Sequence, residues 1–232
     1  MKLHHFFAEI AIFLCVFFIF ALPPLFVSET DFTGFSTWAF PINELFFAVL
    51  SLFIFIYFER KTKVQCFFSN NSNSVENKKL RFCVNLGKTL ITFGFLCCFS
   101  AFMEFLAYTM HYSLASTFIA PKGFFEYFCF FLKFMLAVFY EEVVFRLYLP
   151  EELKYLVSKK VLNKKIIFVF SELPIALVFA FAHRYLGWPA IVNAFAAHVA
   201  LRMCYKKSGN IFLVCISHFL YNLLTFLFLV LN

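Results

Sequence analysis

Residues 210–231 read NIFLVCISHFLYNLLTFLFLVL, an apolar stretch with no Asp, Glu, Lys or Arg. A bilayer core needs about 20 apolar residues of helix to cross it. Only helices and closed barrels satisfy their backbone in lipid, so this stretch is a membrane-crossing helix. Comparable runs lie at roughly 6–27, 39–58, 88–110, 124–147, 166–184 and 186–204. Together they predict an all-α, polytopic transmembrane bundle of about seven spans. Composition agrees: of 232 residues 63% are apolar, 14% are charged and 41 are Phe, against roughly 25% charged residues in an ordinary soluble domain. Mean hydropathy is +0.85. These values exclude a secreted disulfide scaffold, a nucleic-acid module and a disordered tail. The eight cysteines form no C-x-x-C pair and lie mostly in apolar runs, so free thiols are expected. The run at 6–27 is longer than a signal-peptide core and has no small-x-small cleavage site, which makes it a retained span.

Loop charge sets the orientation. With the N-terminus inside, every loop Lys and Arg except Lys122 and Arg184 falls on the inner side, while Lys133 sits within a span. This predicts a multi-pass protein of the cell membrane with a cytoplasmic N-terminus and membrane lipids as partners; it leaves the oligomeric state open. Glu29 and Asp31 fall in the first outer loop. The longest polar stretch, Glu59 to Lys88, contains Ser69 to Ser74 with the sequon Asn70-Asn71-Ser72, and reads as a mobile basic inner loop drawn to anionic headgroups. It divides residues 1–86, with two spans, from a bundle over 87–232.

Ionisable groups at membrane depth are costly, so each one within a span is a functional candidate. Glu141-Glu142-Val143-Val144-Phe145-Arg146 closes the fourth span. Glu142 and Arg146 stand i,i+4 and can pair, while Glu141 is rotated about 100° away. Two carboxylates in different surroundings can take different roles: Glu141 as general base, Glu142 as a structural ion pair. Phe179-Ala180-Phe181-Ala182-His183 puts an imidazole on the fifth span, and His218 and Asn222 share a face of the last, where two donors can converge on one oxyanion. By composition H-x-x-x-N arises about one time in four and E-E-x-x-x-R about once in eighty such chains. The glutamate motif therefore carries most of the argument.

The order EEVVFR, FAFAH, HFLYN on separate late spans, with KKSGN before the last, resembles the CPBP family of CAAX proteases and bacteriocin-processing proteins. This family is also called Abi and includes the type II CAAX prenyl endopeptidases. The resemblance covers about residues 124–225. It implies an intramembrane glutamic endopeptidase, with the last four spans as the catalytic core, cleaving a membrane-anchored or hydrophobic peptide. Carried over position by position, Glu141 and His183 activate a water, His218 and Asn222 stabilise the oxyanion, and Glu142 and Arg146 support them. The family works without a bound metal, so no cofactor is expected and no nucleic-acid partner.

Rival chemistries are tested by their motifs. No His precedes a Glu, so H-E-x-x-H zinc chemistry is missing, and the sole Asp, Asp31, sits in a loop, which removes a two-Asp mechanism. A zinc site built from the same Glu and His residues stays open, because three N/O ligands and a water suit catalytic zinc. A noncatalytic immunity or scaffold protein of the same family also stays open. A transporter is disfavoured, since no inverted repeat is visible. Other intramembrane groups read as packing devices: His198 and Arg202 in interhelical hydrogen bonds, and Lys133 paired with Glu104.

Depth creates one conflict. If the fourth span ends at Arg146 on the inner side, a continuous fifth span from Ile166 carries His183 about 25 Å away along its axis. A break at Ser171-Glu172-Leu173-Pro174, with Glu172 capping and residues 151–170 along the inner interface, would reunite His183 with Glu141.

Overall fold

The structure is a computed structural model that describes residues 3–27, 40–62, 75–112 and 121–231. The segment Ser69–Ser74 with its sequon, and Glu29 and Asp31, lie outside the described residues. Helix α1 (Leu3–Val16) continues into a π segment (Phe17–Ala21) and a 3-10 turn (Pro23–Phe26). Then come α2 (Ile42–Thr62), α3 (Val75–Thr109) and α4 (Phe124–Glu141). After a second π segment (Glu142–Tyr148) follow α5 (Leu149–Ser158), α6 (Lys164–Phe181), a 3-10 turn (Arg184–Leu186), α7 (Trp188–Ser208) and α8 (Ile211–Leu231). No strand occurs among the described residues, and every cysteine among them is a free thiol.

This is the all-α membrane bundle that the apolar runs predict, and each run coincides with a helix. By length and composition alone, three helical segments can cross a membrane: Ile42–Thr62, Cys83–Thr109 and Ile211–Phe228. The other long helices each carry three charged residues: Glu126, Lys133 and Glu141 on α4, Lys164, Lys165 and Glu172 on α6, Arg202, Lys206 and Lys207 on α7. Of these, Glu172 and Arg202 turn into the bundle and meet. Large apolar side chains such as Phe53, Ile91 and Phe105 face outward, as lipid requires.

The core centres on the second π segment. Val143, Val144, Leu147 and Leu149 are fully buried and pack with Ile175, Leu201, Ile211 and Val214. A π segment needs a reason to persist, and Pro150 supplies part of one. Lacking an N–H, Pro150 cannot bond the Arg146 carbonyl one α-turn back. That carbonyl instead accepts a 2.6 Å bond from Arg202 Nη1 on α7. The Leu149 N–H reaches the Val144 carbonyl in the wider i→i+5 pattern.

One end of the bundle is basic and tied by ions. Lys61 on α2 bonds both Glu152 oxygens at 2.7 and 2.9 Å and pairs with Glu9 of α1 at 3.3 Å. Glu9 also takes a 2.8 Å bond from Lys159. Partial desolvation opposes the Lys159 ammonium, but its bonds to Glu9 and Tyr155 raise its pKa above the usual lysine value. Arg202 forks onto both oxygens of Glu172 at 2.9 Å and reaches Glu151 at 2.6 Å, while Lys206 pairs with Glu172 at 2.5 Å. At the other end Arg184 Nη2 donates to the Val27 carbonyl at 3.0 Å and Nη1 to that of Pro24 at 3.4 Å. The α1 start, the α2 end and the α5–α6 turn thus share one end, the arrangement the loop charges imply.

Three expectations are corrected. The fourth span does not end at Arg146: the chain stays helical through Pro150 to Ser158, and Arg146 is fully buried. Helix α6 is not broken at Ser171. It starts at Lys164, where the Asn163 side chain accepts from the Lys165 and Ile166 amides, and it runs through Pro174, which sits on the exposed face. Glu172 therefore caps nothing and serves the α6–α7 ion pair. Lys133 pairs with Glu44 of α2 at 3.2 Å, while Glu104 is exposed on α3.

The two ion pairs should differ sharply in worth. Arg202 is 3% exposed, and replacing it by Ala leaves the Arg146 carbonyl without its donor and Glu172 and Glu151 with only Lys206 and Lys154, so about 3 kcal/mol of stability is lost. Lys133, with 38% of its side chain exposed, should cost about 1 kcal/mol or less. Unfolding midpoints of Arg202→Ala and Lys133→Ala in the same detergent test this order.

Candidate active site

The α5–α6 hairpin solves the depth conflict. Counting from its turn at 159–163, Glu141 lies 17 residues before Ser158 and Phe181 lies 17 residues after Lys164. At 1.5 Å per residue both stand about 26 Å above the turn. Glu141 and His183 consequently line one cavity of about 320 Å³, together with Tyr140, Tyr185, Phe145 and Phe179. Both are half-buried.

His183 is set by the residue one turn earlier. Helix α6 ends at Phe181, and His183 (φ −97°, ψ 8°) opens the 3-10 turn, its N–H on the Ala180 carbonyl at 3.0 Å. Its Nδ1 lies 2.8 Å from the Phe179 carbonyl. A carbonyl only accepts, so Nδ1 carries the proton and Nε2 is the free nitrogen, with its lone pair available when the ring is neutral. The Phe179 ring is equally engaged. It packs edge-on to Phe145 at 5.3 Å, lies 4.8 Å from the His183 ring and 5.5 Å from the His198 ring, and takes the Arg146 guanidinium carbon 3.8 Å from its centroid. The Phe of F-x-x-x-H thus both orients the histidine and holds the arginine of the first motif.

Glu142 and Arg146 are both fully buried, and the pair forms as the i,i+4 spacing implies, with Arg146 Nε 3.4 Å from Glu142 Oε2. It does so on the wider π turn. The other carboxylate oxygen, Oε1, receives Nδ1 of His218 at 2.6 Å, a short, charge-assisted contact. Sequence reasoning placed His218 with Asn222 and not with Glu142. His218 is buried, with 10% of its side chain exposed, and stands seven residues along α8, about 11 Å from its start. Asn222 is half-buried one turn further. Neither lines the cavity that holds Glu141 and His183. The structure therefore brings Glu141 and His183 together at the cavity and leaves His218 and Asn222 one turn apart on α8, with His218 bonded to Glu142, the neighbour of Glu141.

Tyr140, Tyr185 and Phe20 were not anticipated. Tyr140 adjoins Glu141 in sequence, and that adjacency was the only signal. Phe20 packs on Phe47 at 5.3 Å and on Tyr140 at 6.2 Å from a distant part of the chain, which no local pattern announces. Asn193 donates to the Tyr221 hydroxyl at 2.8 Å, and Tyr221 bonds Ser100, so these groups hold α3, α7 and α8 together. Among the described residues no group of three or more His, Cys, Asp or Glu is placed to hold a metal ion.

No curated protein and no solved structure matches the chain. Residues 123–224 match the model of the family described as type II CAAX prenyl endopeptidase, Rce1-like. The matched segment runs from the residue before α4 into α8, contains all three motifs, and leaves α1 to α3 outside it. The likeness to the type II CAAX prenyl endopeptidase, Rce1-like, family thus rests on residues 123–224.

Proposed function

We propose that this chain is an intramembrane glutamic endopeptidase of the cell membrane, with its N-terminus in the cytoplasm. It hydrolyses a peptide bond of a membrane-anchored or hydrophobic substrate and needs no bound cofactor. The observation that carries this reading is the shared cavity of Glu141 and His183, with His183 held by the Phe179 carbonyl so that Nε2 is left for a water.

In this mechanism a water bridges the Glu141 carboxylate and His183 Nε2. Glu141 takes a proton as the water oxygen bonds to the substrate carbonyl carbon, and the carbonyl oxygen becomes an oxyanion. His218, bonded to Glu142, and Asn222, one turn further along α8, are the donors assigned to that oxygen, although neither lines the cavity itself. As the tetrahedral intermediate collapses, the C–N bond breaks and Glu141 returns its proton to the leaving amine. The acid and ion-pair carboxylates stay distinct because Glu142 is engaged by both Arg146 and His218, whereas Glu141 faces the cavity.

Replacing Glu141 by Gln is expected to cut hydrolysis by about 10²–10⁴-fold while the unfolding midpoint stays at the wild-type value. A comparison of membrane proteomes from cells carrying wild type or Glu141→Ala should reveal shortened proteins or peptides only with wild type; identical proteomes, with both proteins expressed, would exclude the protease reading in favour of a scaffold. Glu142→Gln should behave differently. It removes the charge facing both Arg146 and His218, so kcat should fall by about 10²–10³-fold and the unfolding midpoint should fall with it, as titration of purified protein with denaturant would register.

A further inference from the structure

We propose that the cleft at the ion-paired end of the bundle, walled by α2, α5, α6 and the end of α7, binds the phosphate of an anionic phospholipid headgroup, with Lys154 and Lys164 as its ligands. This cleft is separate from the Glu141–His183 cavity, which stands about 26 Å above the α5–α6 turn.

The cleft encloses about 870 Å³, within the range of small-molecule sites. Four carboxylates lie on its wall, those of Glu9, Glu151, Glu152 and Glu172. Each is already committed. Lys61 holds Glu152 and, with Lys159, Glu9; Arg202 holds Glu151 and, with Lys206, Glu172. Those four cations balance the four carboxylates, and Lys154 and Lys164 on the same wall are the surplus. Lys154 makes one loose contact, 3.4 Å from Glu151, and keeps 52% of its side chain exposed. Lys164 is exposed and forms no ion pair among the described residues. Two ammonium groups on flexible stems, one from each side of the α5–α6 turn, can therefore converge on an anion, and phosphate oxygens accept from several such donors at once.

The apolar part of the cleft selects a lipid over a free phosphate. Phe58, Ile167 and Phe168 line it beside the charges. Phe168 carries the Lys206 ammonium 4.5 Å from its ring centroid and is still 57% exposed. It belongs both to the cleft and to the outer surface of α6, on which Val169 and Phe170 are also exposed. A free phosphate uses the lysines alone, whereas a phospholipid sets its headgroup on the lysines and its first acyl carbons on that apolar flank. The loop cations gather at this end of the bundle, the level at which headgroups lie. A seated phosphate bridges α5 to α6 and so closes the hairpin whose register brings Glu141 level with the end of α6. Binding must then stabilise the fold.

The test uses the full chain purified in a nonionic detergent and titrated with dioctanoyl phosphatidylglycerol, dioctanoyl phosphatidylcholine or inorganic phosphate. Native mass spectrometry reads the adduct and the unfolding midpoint reads the stabilisation. Phosphatidylglycerol should give a single-lipid adduct and raise the midpoint, and phosphatidylcholine, without net charge, should bind about tenfold or more weakly. Lys154→Gln with Lys164→Gln, both at exposed positions, should weaken the phosphatidylglycerol complex by about tenfold per lysine and leave the midpoint without lipid unchanged. The corresponding Arg variants should keep the complex. Lys165→Gln, on the same helix but outside the cleft, should bind as wild type does, and so should Glu141→Gln, since no hydrolysis is involved. Equal binding of the two lipids would overturn the proposal, and an equal loss in Lys165→Gln would reduce it to diffuse surface charge. Inorganic phosphate binding as tightly as the lipid would make the occupant a free anion, and displacement of the lipid by a lower concentration of tetraglutamate would make it an acidic peptide; either result also overturns it.

Discussion

A carboxylate and a guanidinium buried together, Glu142 and Arg146, organise the centre of this membrane bundle. Two charges without water around them depend on what the neighbouring helices place beside them. His218 from α8 bonds Glu142 Oε1, the Phe179 ring from α6 covers the Arg146 guanidinium, and Arg202 from α7 bonds the Arg146 carbonyl, while the Arg146 side-chain nitrogens and Glu142 Oε2 make no hydrogen bond among the described residues. The same contacts hold α4, α6, α7 and α8 at the spacing that the candidate active site needs. Structure and chemistry are therefore hard to separate here, since loosening the ion pair also releases His218 and the ring that orients His183.

The second organising constraint is register. Helices α5 and α6 form an antiparallel hairpin whose turn at 159–163 sits beyond the ion-paired end, and equal lengths of chain on either side bring Glu141 level with the end of α6. The ionic layer of Glu9, Lys61, Glu151, Glu152, Glu172, Arg202 and Lys206 fixes where that hairpin stands against α1, α2 and α7. Placing these paired charges at one end leaves the middle of the bundle to the Glu142–Arg146 pair and the candidate site.

Reading by motif succeeded where local spacing governs the contact. The i,i+4 pair Glu142–Arg146 and the membrane helices themselves depend on periodicity within one element, which residue order displays. It failed where an element's limits depend on partners elsewhere. The fourth span is expected to end at Arg146, and Ser171 to Pro174 looks like a break. The chain stays helical through both because Arg202 takes the carbonyl that Pro150 cannot serve and Glu172 is matched by two cations of α7. Lys133 likewise pairs with Glu44 rather than with the expected Glu104, because α2 packs on α4.

Residue order alone thus determined that the chain lives in a membrane as helices, which end carries the cations, and which few polar residues are candidates for chemical roles. Each of these follows from hydropathy or from spacing along one helix. Only the tertiary structure decided that His218 bonds Glu142, that Glu141 and His183 share a cavity, and that an N-terminal segment walls it. Those facts join residues between 42 and 163 positions apart, from Glu141 with His183 to His183 with Phe20. No one-dimensional pattern encodes such distances, because they are set by how helices of different lengths pack once their buried charges have found partners.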